Sequence, residues 1–549
     1  MAGSHHEMNF SWLRRSPASS LPGLVAGLSL IILAVSVFAV IYSEGAGQGL
    51  TVDWAPVLSV LKMTFFQAGL STLLSMTLGL TLAWSLSHQR VFPGRGFLVS
   101  LLSVSMVMPT LVAVLGLVSV FGRKGWLSQL ADLFGGPGPG TFVYGLTGIL
   151  LAHVFLNAPF VARALLQRLD RLPPDRLKLS ASLGLSPWRQ FCIVEWPAVK
   201  TSFYALSATV FLLCFTSFAI VLTLGGSPAF NTLEVAIYEA VKLEFDLARA
   251  VTLAMVQVLV CAGLVVLASS LRNDDGSLGV VSRVSLWPAP VGARVLQVVT
   301  IAIFALFYIS PFLAVLWDGA LADFGRLLHE AAFHKALVSS LCLATLSSAL
   351  TVAMALAIGG TKRTLGSPLR VELNWGSRTL SSLLSFSGAI YLAVPSLVLG
   401  FGFFLIARKL TADVYLLAPV ALLLANCLIA LPFALVILAP AMEKSALRYD
   451  RLAFALGVRG LARWRLVEWP GLRREIGLVA ALSFCFSLGD LGVIALFGNR
   501  DFATLPWLLY QKIGSYRTDD AAGIALLLLG LTLAVFFLVP KFFDRGGDA

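Results

Sequence analysis

The chain has 549 residues, 58% of them hydrophobic and only 12% charged, with a formal net charge of +12 and a mean hydropathy of +0.88. Soluble proteins carry about twice that charged fraction, so a soluble enzyme or binding module is excluded and a polytopic membrane protein is expected. The basic excess sits in short loops between apolar stretches, where lipid headgroups and membrane orientation account for it; no nucleic-acid partner is implied.

Twelve apolar stretches are long enough to cross a hydrocarbon core as helices. They are predicted at 22–43, 62–87, 97–120, 143–167, 200–223 and 248–271, then at 294–317, 335–359, 379–407, 416–441, 475–497 and 521–541. The opening "MAGSHHEMNF" is set aside as a tail. The first stretch is too long for a signal-peptide core and lacks a small-residue cleavage site, so it is kept as a span. Six cysteines show no C-x-x-C spacing, and five fall inside apolar stretches as small core residues. No metal site is expected.

Lysine and arginine crowd alternate loops, among them Arg168, Arg171, Arg176, Lys178, Arg189 and Lys200 between spans four and five. A second basic run, from Lys444 to Arg474, lies between spans ten and eleven. The opposite loops hold acids such as Asp53, Glu234, Glu239, Asp519 and Asp520. The positive-inside rule therefore assigns both termini and both basic runs to the cytoplasm. The outer acids are expected to be solvated, or collectively to meet a delivering protein.

The string Val-Glu-Trp-Pro occurs twice, ending at Pro197 and Pro470, 273 residues apart. The same offset pairs Gly184 with Gly457, Pro159 with Pro432, and "SFAIVLTLGG" with "DLGVIALFGN". Six spans separate equivalent points, an even number, so the two copies share one orientation. The expected division is a tail at 1–21, a six-helix half at 22–271, a polar linker at 272–293 and a second six-helix half at 294–549.

Each basic run reads as a short helix, a glycine suited to a positive-φ turn, about a dozen residues, and a proline opening the next span. Small and apolar residues before each glycine would form a knob fit for another protein's groove. This Gly-to-Pro spacing is similar to the E-A-A-x-x-x-G-x9-I-x-L-P loop of ABC importer permeases. In that family the loop forms a coupling helix that docks into an ATPase subunit. Carried over, the resemblance implies one coupling loop at Lys178, Leu179, Ser180, Gly184, Glu195, Trp196 and Pro197. The second comprises Arg451, Leu452, Ala453, Gly457, Glu468, Trp469 and Pro470. Lys178 and Arg451 stand where the motif has Glu, and Trp196 and Trp469 replace its Leu, so contacts through the family Glu do not transfer. Glu195 and Glu468 have two open readings: ATPase contact, or capping of the helix that follows.

A narrower resemblance rests on "GRKGWL", "YGLTGILLAHVFLNAPF" and above all "LGDLGVIALFGNRDFATLPWLLYQKIGSYRTDD". These look like the permeases of bacterial thiamine ABC importers. The resemblance implies an all-α type I importer permease of the bacterial inner membrane with twelve helices in two parallel halves. Its implied partners are two ATPase subunits carrying ATP-Mg, a periplasmic substrate-binding protein and a thiamine-like molecule. The chain has no G-x-x-x-x-G-K-[ST] phosphate loop of its own, no cofactor is expected in it, and it is not expected to be an enzyme. Fused ferric-iron permeases share the architecture. An ion-coupled secondary transporter is the rival from another class, but buried ionisable residues are scarce.

Asp490 is the sharpest single residue, an acid in or near span eleven whose repeat partner is Ser217. It either faces the path of a cationic substrate or caps a broken helix between Gly489 and Gly492. Trp84 and Tyr204, with Phe215 and Phe218, are aromatic candidates for the same path. His153 and Asn157, four apart on span four, read as an inter-helix hydrogen-bonding pair.

Overall fold

A computed structural model describes residues 21–47, 53–136, 138, 140–226, 228–270, 290–365, 375–458 and 460–544. The tail and most of the expected linker lie outside these residues. Regular structure among the described residues is entirely helical. Eleven helices are long and apolar enough to cross a membrane, or twelve if one sharply bent pair counts as a single span.

The N-terminal set runs α1 (Leu21–Gly47), α2 (Trp54–His88), α3 (Arg95–Val104), α4 (Thr110–Phe121), α5 (Trp126–Leu133) and α6 (Leu146–Leu169). It continues through α7 (Pro174–Ser182), α8 (Pro187–Gln190), α9 (Trp196–Phe215), α10 (Ala219–Leu224), α11 (Leu233–Lys242) and α12 (Leu247–Ser270). The C-terminal set runs α13 (Val291–Ala320), α14 (Phe324–His329), α15 (Ala331–Leu365), α16 (Trp375–Ala389), α17 (Ser396–Leu410) and α18 (Ala418–Ala455). It ends with α19 (Gly460–Arg463), α20 (Trp469–Gly489), α21 (Gly492–Phe497), α22 (Leu505–Gly514) and α23 (Thr518–Asp544).

The sequence repeat is also a repeat of elements. Helices α9 and α20 begin at the two tryptophans of Val-Glu-Trp-Pro, and α10 and α21 begin 273 residues apart. Helices α2 and α15 are both 35 residues long. The first backbone N–H of α11, on Leu233, donates to Thr64 Oγ1 of α2 at 3.0 Å. Its counterpart on Leu505 of α22 donates to Ser340 Oγ of α15 at 2.7 Å. An orphan helix N-terminus is thus satisfied by the same device in both sets.

The first long helix of each set packs on the other set: α1 lies against α15, α16 and α17, and α13 lies against α2 and α4. A Cβ on Gly116 of α4 would meet Pro311 O at 2.7 Å, and one on Gly402 of α17 would meet Val37 Cγ1 at 2.3 Å. Close helix approach through small residues is the usual contact inside a bilayer, where no hydrophobic force drives helices together.

Four of the expected spans are broken, the eleventh at the glycine pair where a break is one of the two readings. The stretch at 97–120 divides into α3 and α4 at Pro109, and the stretch at 379–407 bends by 98° before α17, just after Pro395. Proline lacks the N–H that would continue a helix and biases its predecessor toward extended backbone. Spans five and eleven break at Thr216–Phe218 and Asp490–Leu491, leaving α10 and α21 as single short helices. Among the cysteines, Cys214, Cys261, Cys427 and Cys485 are buried as expected, but Cys342 lies exposed on α15 and Cys192 on the basic loop; all six are free.

Candidate functional site: paired loops and a cavity at four helix breaks

Both basic loops turn at their glycine. Helix α7 ends at Ser182 and Gly184 follows with φ +64°; α18 ends at Ala455 and Gly457 follows with φ +66°. The turns close alike, Leu185 N–H donating to Ser180 O at 3.2 Å and Val458 N–H to Ala453 O at 2.9 Å. This is the six-to-one bond of a left-handed helix terminus, the position where glycine is preferred. The copies differ upstream. The first is a separate nine-residue helix, as expected. The second is no separate helix but the last turns of the 38-residue α18, about 57 Å long at 1.5 Å per residue.

The prolines sit in the first turn of α9 and α20, as expected, but helical backbone already precedes them. Helical backbone already runs from Pro187, and a π-turn at Phe191–Glu195 precedes α9. An equivalent π-turn at Trp464–Glu468 precedes α20. Trp196 N–H donates to Phe191 O, and Trp469 N–H to Trp464 O. A proline ring clashes with the carbonyl four residues back; one widened turn moves that carbonyl away and lets the helix continue. The tryptophans pack the bulge: Trp196 meets Phe203 edge-on at 5.3 Å, and Trp469 meets Phe543 at 5.8 Å.

Large apolar side chains around each loop face outward in repeat-related pairs. Leu179 and Leu452 are 60% and 57% exposed, and Leu183 and Leu456 67% and 69%. Trp188 pairs with Leu461 and Ile193 with Leu466, all exposed. Ser180 and Ala453 turn inward and are buried, while Lys178 and Arg451 stay exposed.

The repeated glutamates turn inward, and neither side chain caps a helix. Glu195 is buried, with His88 Nε2 of α2 at 3.2 Å and Gln190 Nε2 donating to it at 2.8 Å. Glu468 accepts from Arg363 Nη1 of α15 at 2.7 Å and from Arg463 Nε at 3.0 Å. The same two arginines also hold the fully buried Asp450, Arg363 Nη2 at 2.5 Å. Sequence reasoning missed His88, Gln190, Arg363, Asp450 and Arg463 as partners. One signal was available: Gln190 and Arg463 each stand five residues before the repeated glutamate.

A cavity of about 360 Å³ forms where the four helix breaks converge. Pro109 and Thr110, Thr216 to Ile220, Ser396, and Gly489 to Gly492 all line it. Broken backbone at membrane depth is tolerated where it is buried in protein or lines a cavity, and this volume suits a small organic ligand. Asp490 and Ser217 are both in the lining. The Asp490 carboxylate accepts from Gly492 N–H and Val493 N–H, each at 3.2 Å, so it stabilises the start of α21 while facing the cavity. Phe218, Phe433 and Phe486 supply apolar wall.

His153 and Asn157 make the expected bonds between helices, His153 Nδ1 with Ser71 at 2.8 Å and Asn157 Nδ2 with Cys214 Sγ at 3.3 Å. Both also line the cavity, and His153 Nε2 has no protein partner. Trp84 and Tyr204 lie off the cavity lining. Trp84 packs on His88 at 4.9 Å, and Tyr204 is 52% exposed beside Trp196. Phe215 is buried against Phe65 and Phe211.

The outer acids are less free than expected. Glu234 is fully buried and accepts from Gln257. Glu239 accepts from Asn231. Asp520 is buried among Arg326, Lys512 and Arg517. Asp519 remains exposed.

Residues 75–273 match the family of binding-protein-dependent transport system inner membrane components. The chain is 37% identical over 543 residues to the thiamine transport system permease protein of Escherichia coli (strain K12), covering 96% of this chain and 97% of that one. It is 37% identical to the protein of that name from Brucella abortus (strain 2308), over 88% of this chain and 87% of the relative. For Haemophilus influenzae the identity is 38%, over 86% and 87%. Likeness at this level over nearly the whole length, on a helical frame with eleven or twelve apolar spans, makes the chain a member of the thiamine transport system permease family.

Proposed function

We propose that this chain is the membrane permease of an ATP-driven importer that carries thiamine inward across the bacterial inner membrane. ATP-Mg is bound and hydrolysed in a separate ATPase, two copies of which each grip one loop, at Gly184 and at Gly457. Both termini lie on the loop side, the cytoplasm, and residues 22–271 and 294–549 rock against each other as two halves. A substrate-binding protein delivers thiamine at the opposite face.

The observation that carries the reading is the set of four exposed apolar pairs around the two loops, at one constant 273-residue spacing. Contiguous exposed apolar surface marks an interaction site, and two equivalent patches suit a symmetric partner. The cavity fits the cargo. Thiamine carries a permanent cationic ring; Asp490 offers a carboxylate, Phe218, Phe433 and Phe486 offer aromatic surface, and His153 Nε2 offers one unpartnered ring nitrogen.

The test is ATP-dependent uptake of labelled thiamine into proteoliposomes holding the chain, its ATPase and its binding protein. Uptake that follows an ion gradient instead of ATP would defeat the proposal. In a Cys192→Ser background, which removes the exposed native thiol of the loop, cysteines at Ser182 and at Ala455 should each crosslink to the ATPase. Failure at both would remove the gripping role. Asp490→Asn should lower uptake at least tenfold with crosslinking unchanged; wild-type uptake would leave Asp490 with only its backbone bonds.

A further inference from the structure

Among the described residues, only Phe245 and Tyr516 are non-glycine residues with positive φ, +56° and +59°. They hold equivalent places in the order of elements, 271 residues apart. Phe245 stands two residues before α12 and Tyr516 two residues before α23, at the turn that follows the ten-residue α11 or α22. Both are aromatic, and both project into open surroundings, 80% and 90% exposed. Burial therefore gives neither ring a reason to be there.

This backbone position is the one glycine ordinarily fills. At the second turn Arg517 N–H donates to Lys512 O at 3.0 Å, the six-to-one closure of a left-handed helix terminus. At the first, Glu244 N–H donates to Glu239 O at 2.9 Å and Asp246 N–H to Ala240 O at 2.8 Å. A bulky side chain is disfavoured in such a conformation. Strain of this kind persists where surrounding structure enforces it, and it clusters at functional positions. An ion pair borders each turn. Arg249 pairs with Glu244 across the first turn, and Arg517 pairs with Asp520 beside the second.

Both turns lie on the face away from the Gly184 and Gly457 loops. Helix α23 brings Phe543, near its far end, against Trp469 at the loop side, so Tyr516 before its start is about 40 Å away at 1.5 Å per residue. A rigid aromatic side chain costs little conformational entropy on binding and anchors many protein interfaces. Two such anchors at equivalent turns suit a single partner that meets both.

We propose that Phe245 and Tyr516 are paired docking pegs for the substrate-binding protein that delivers ligand to this permease. This rests on the importer reading above. Aromatic side chains that only anchor helix ends at the lipid surface would be strained without need, and they are one outcome of the test.

The test measures binding of the purified substrate-binding protein to the full chain with its ATPase in nanodiscs, for wild type, Phe245→Asn, Tyr516→Asn and the double variant. Asparagine tolerates the left-handed region, so it removes the ring while keeping the turn. Each single variant should weaken binding about tenfold and the double about a hundredfold, since distant sites add. The thermal midpoint should stay level or rise as strain is relieved. Tyr516→Phe should bind like wild type. Unchanged affinity in the double variant would overturn the pegs, as would an affinity loss matched by a lower midpoint. If wild type itself fails to bind, the importer reading falls and takes the pegs with it.

Discussion

The two loops are anchored to the body of the protein by the same residue in different company. In the N-terminal copy Glu195 meets one histidine and one glutamine, His88 and Gln190. In the C-terminal copy Glu468 belongs to a four-member ion cluster with Arg363, Arg463 and Asp450. The geometry is shared: in both, the C-terminal end of a 35-residue helix reaches past the hydrocarbon core to hold the π-turn below the next span. The charge is not shared. The second loop is also built into α18, whereas the first is a nine-residue helix joined by turns. The comparison describes one stiff, strongly paired handle and one lighter, weakly paired handle on a duplicated frame. A shared fold can thus be kept while each copy sets its own rigidity.

The largest expected effect comes from breaking the charged anchor. Arg363→Ala takes from the fully buried Asp450 and from Glu468 one of the two arginines they share. Removing one partner of a buried pair costs about 3–5 kcal/mol, so folded yield and thermal midpoint should fall sharply. His88→Ala leaves Glu195 with its Gln190 bond and should cost about 1–3 kcal/mol. Equal losses in thermal unfolding of the two variants would break the comparison.

A smaller effect separates the handles by function. No atom lies within 4 Å of a Cβ built on Gly184 or on Gly457, so valine at either site meets only the backbone penalty. That penalty is about 1–3 kcal/mol at positive φ. In α18 a long helix resists the distortion; in α7 nine residues do not. Gly184→Val should therefore reduce ATP-dependent uptake several-fold more than Gly457→Val. The reverse order, measured in the same vesicles, would show that helix length does not set loop rigidity.

Much of this was legible in the residues. Apolar runs marked the spans, and the 273-residue offset tied Gly184 to Gly457 and Pro197 to Pro470 because turn chemistry is local. The breaks at Pro109 and Pro395 carried a local signal too, but hydropathy averages over a window and reads across a proline. The π-turns were hidden because proline at a helix start and proline after a widened turn look alike in a string of letters. The pairing of Arg363 with Asp450 joins positions 87 residues apart, and no periodicity relates them. Asp490 was visible as an acid in apolar surroundings, yet its place beside Pro109 and Ser396 depends on how two sets of helices cross.

The smallest and sharpest test converts one handle toward the other. Gln190 occupies the position of Arg463, five residues before the repeated glutamate. Gln190→Arg would place a guanidinium where the amide now donates to Glu195 at 2.8 Å. The amide's bond to the carboxylate is already charge-assisted; the guanidinium adds the attraction of an ion pair, and desolvating the new charge takes back part of it. The net gain should be about 1 kcal/mol, a rise of about 1–2 °C in thermal midpoint for a protein of this size. The gain should vanish in a Glu195→Gln background, where the new charge has no partner. If the gain survives there, the arginine is acting through some other group. If stability falls in both backgrounds, the pocket around Glu195 admits a neutral donor only, and the lighter handle is a requirement of its packing.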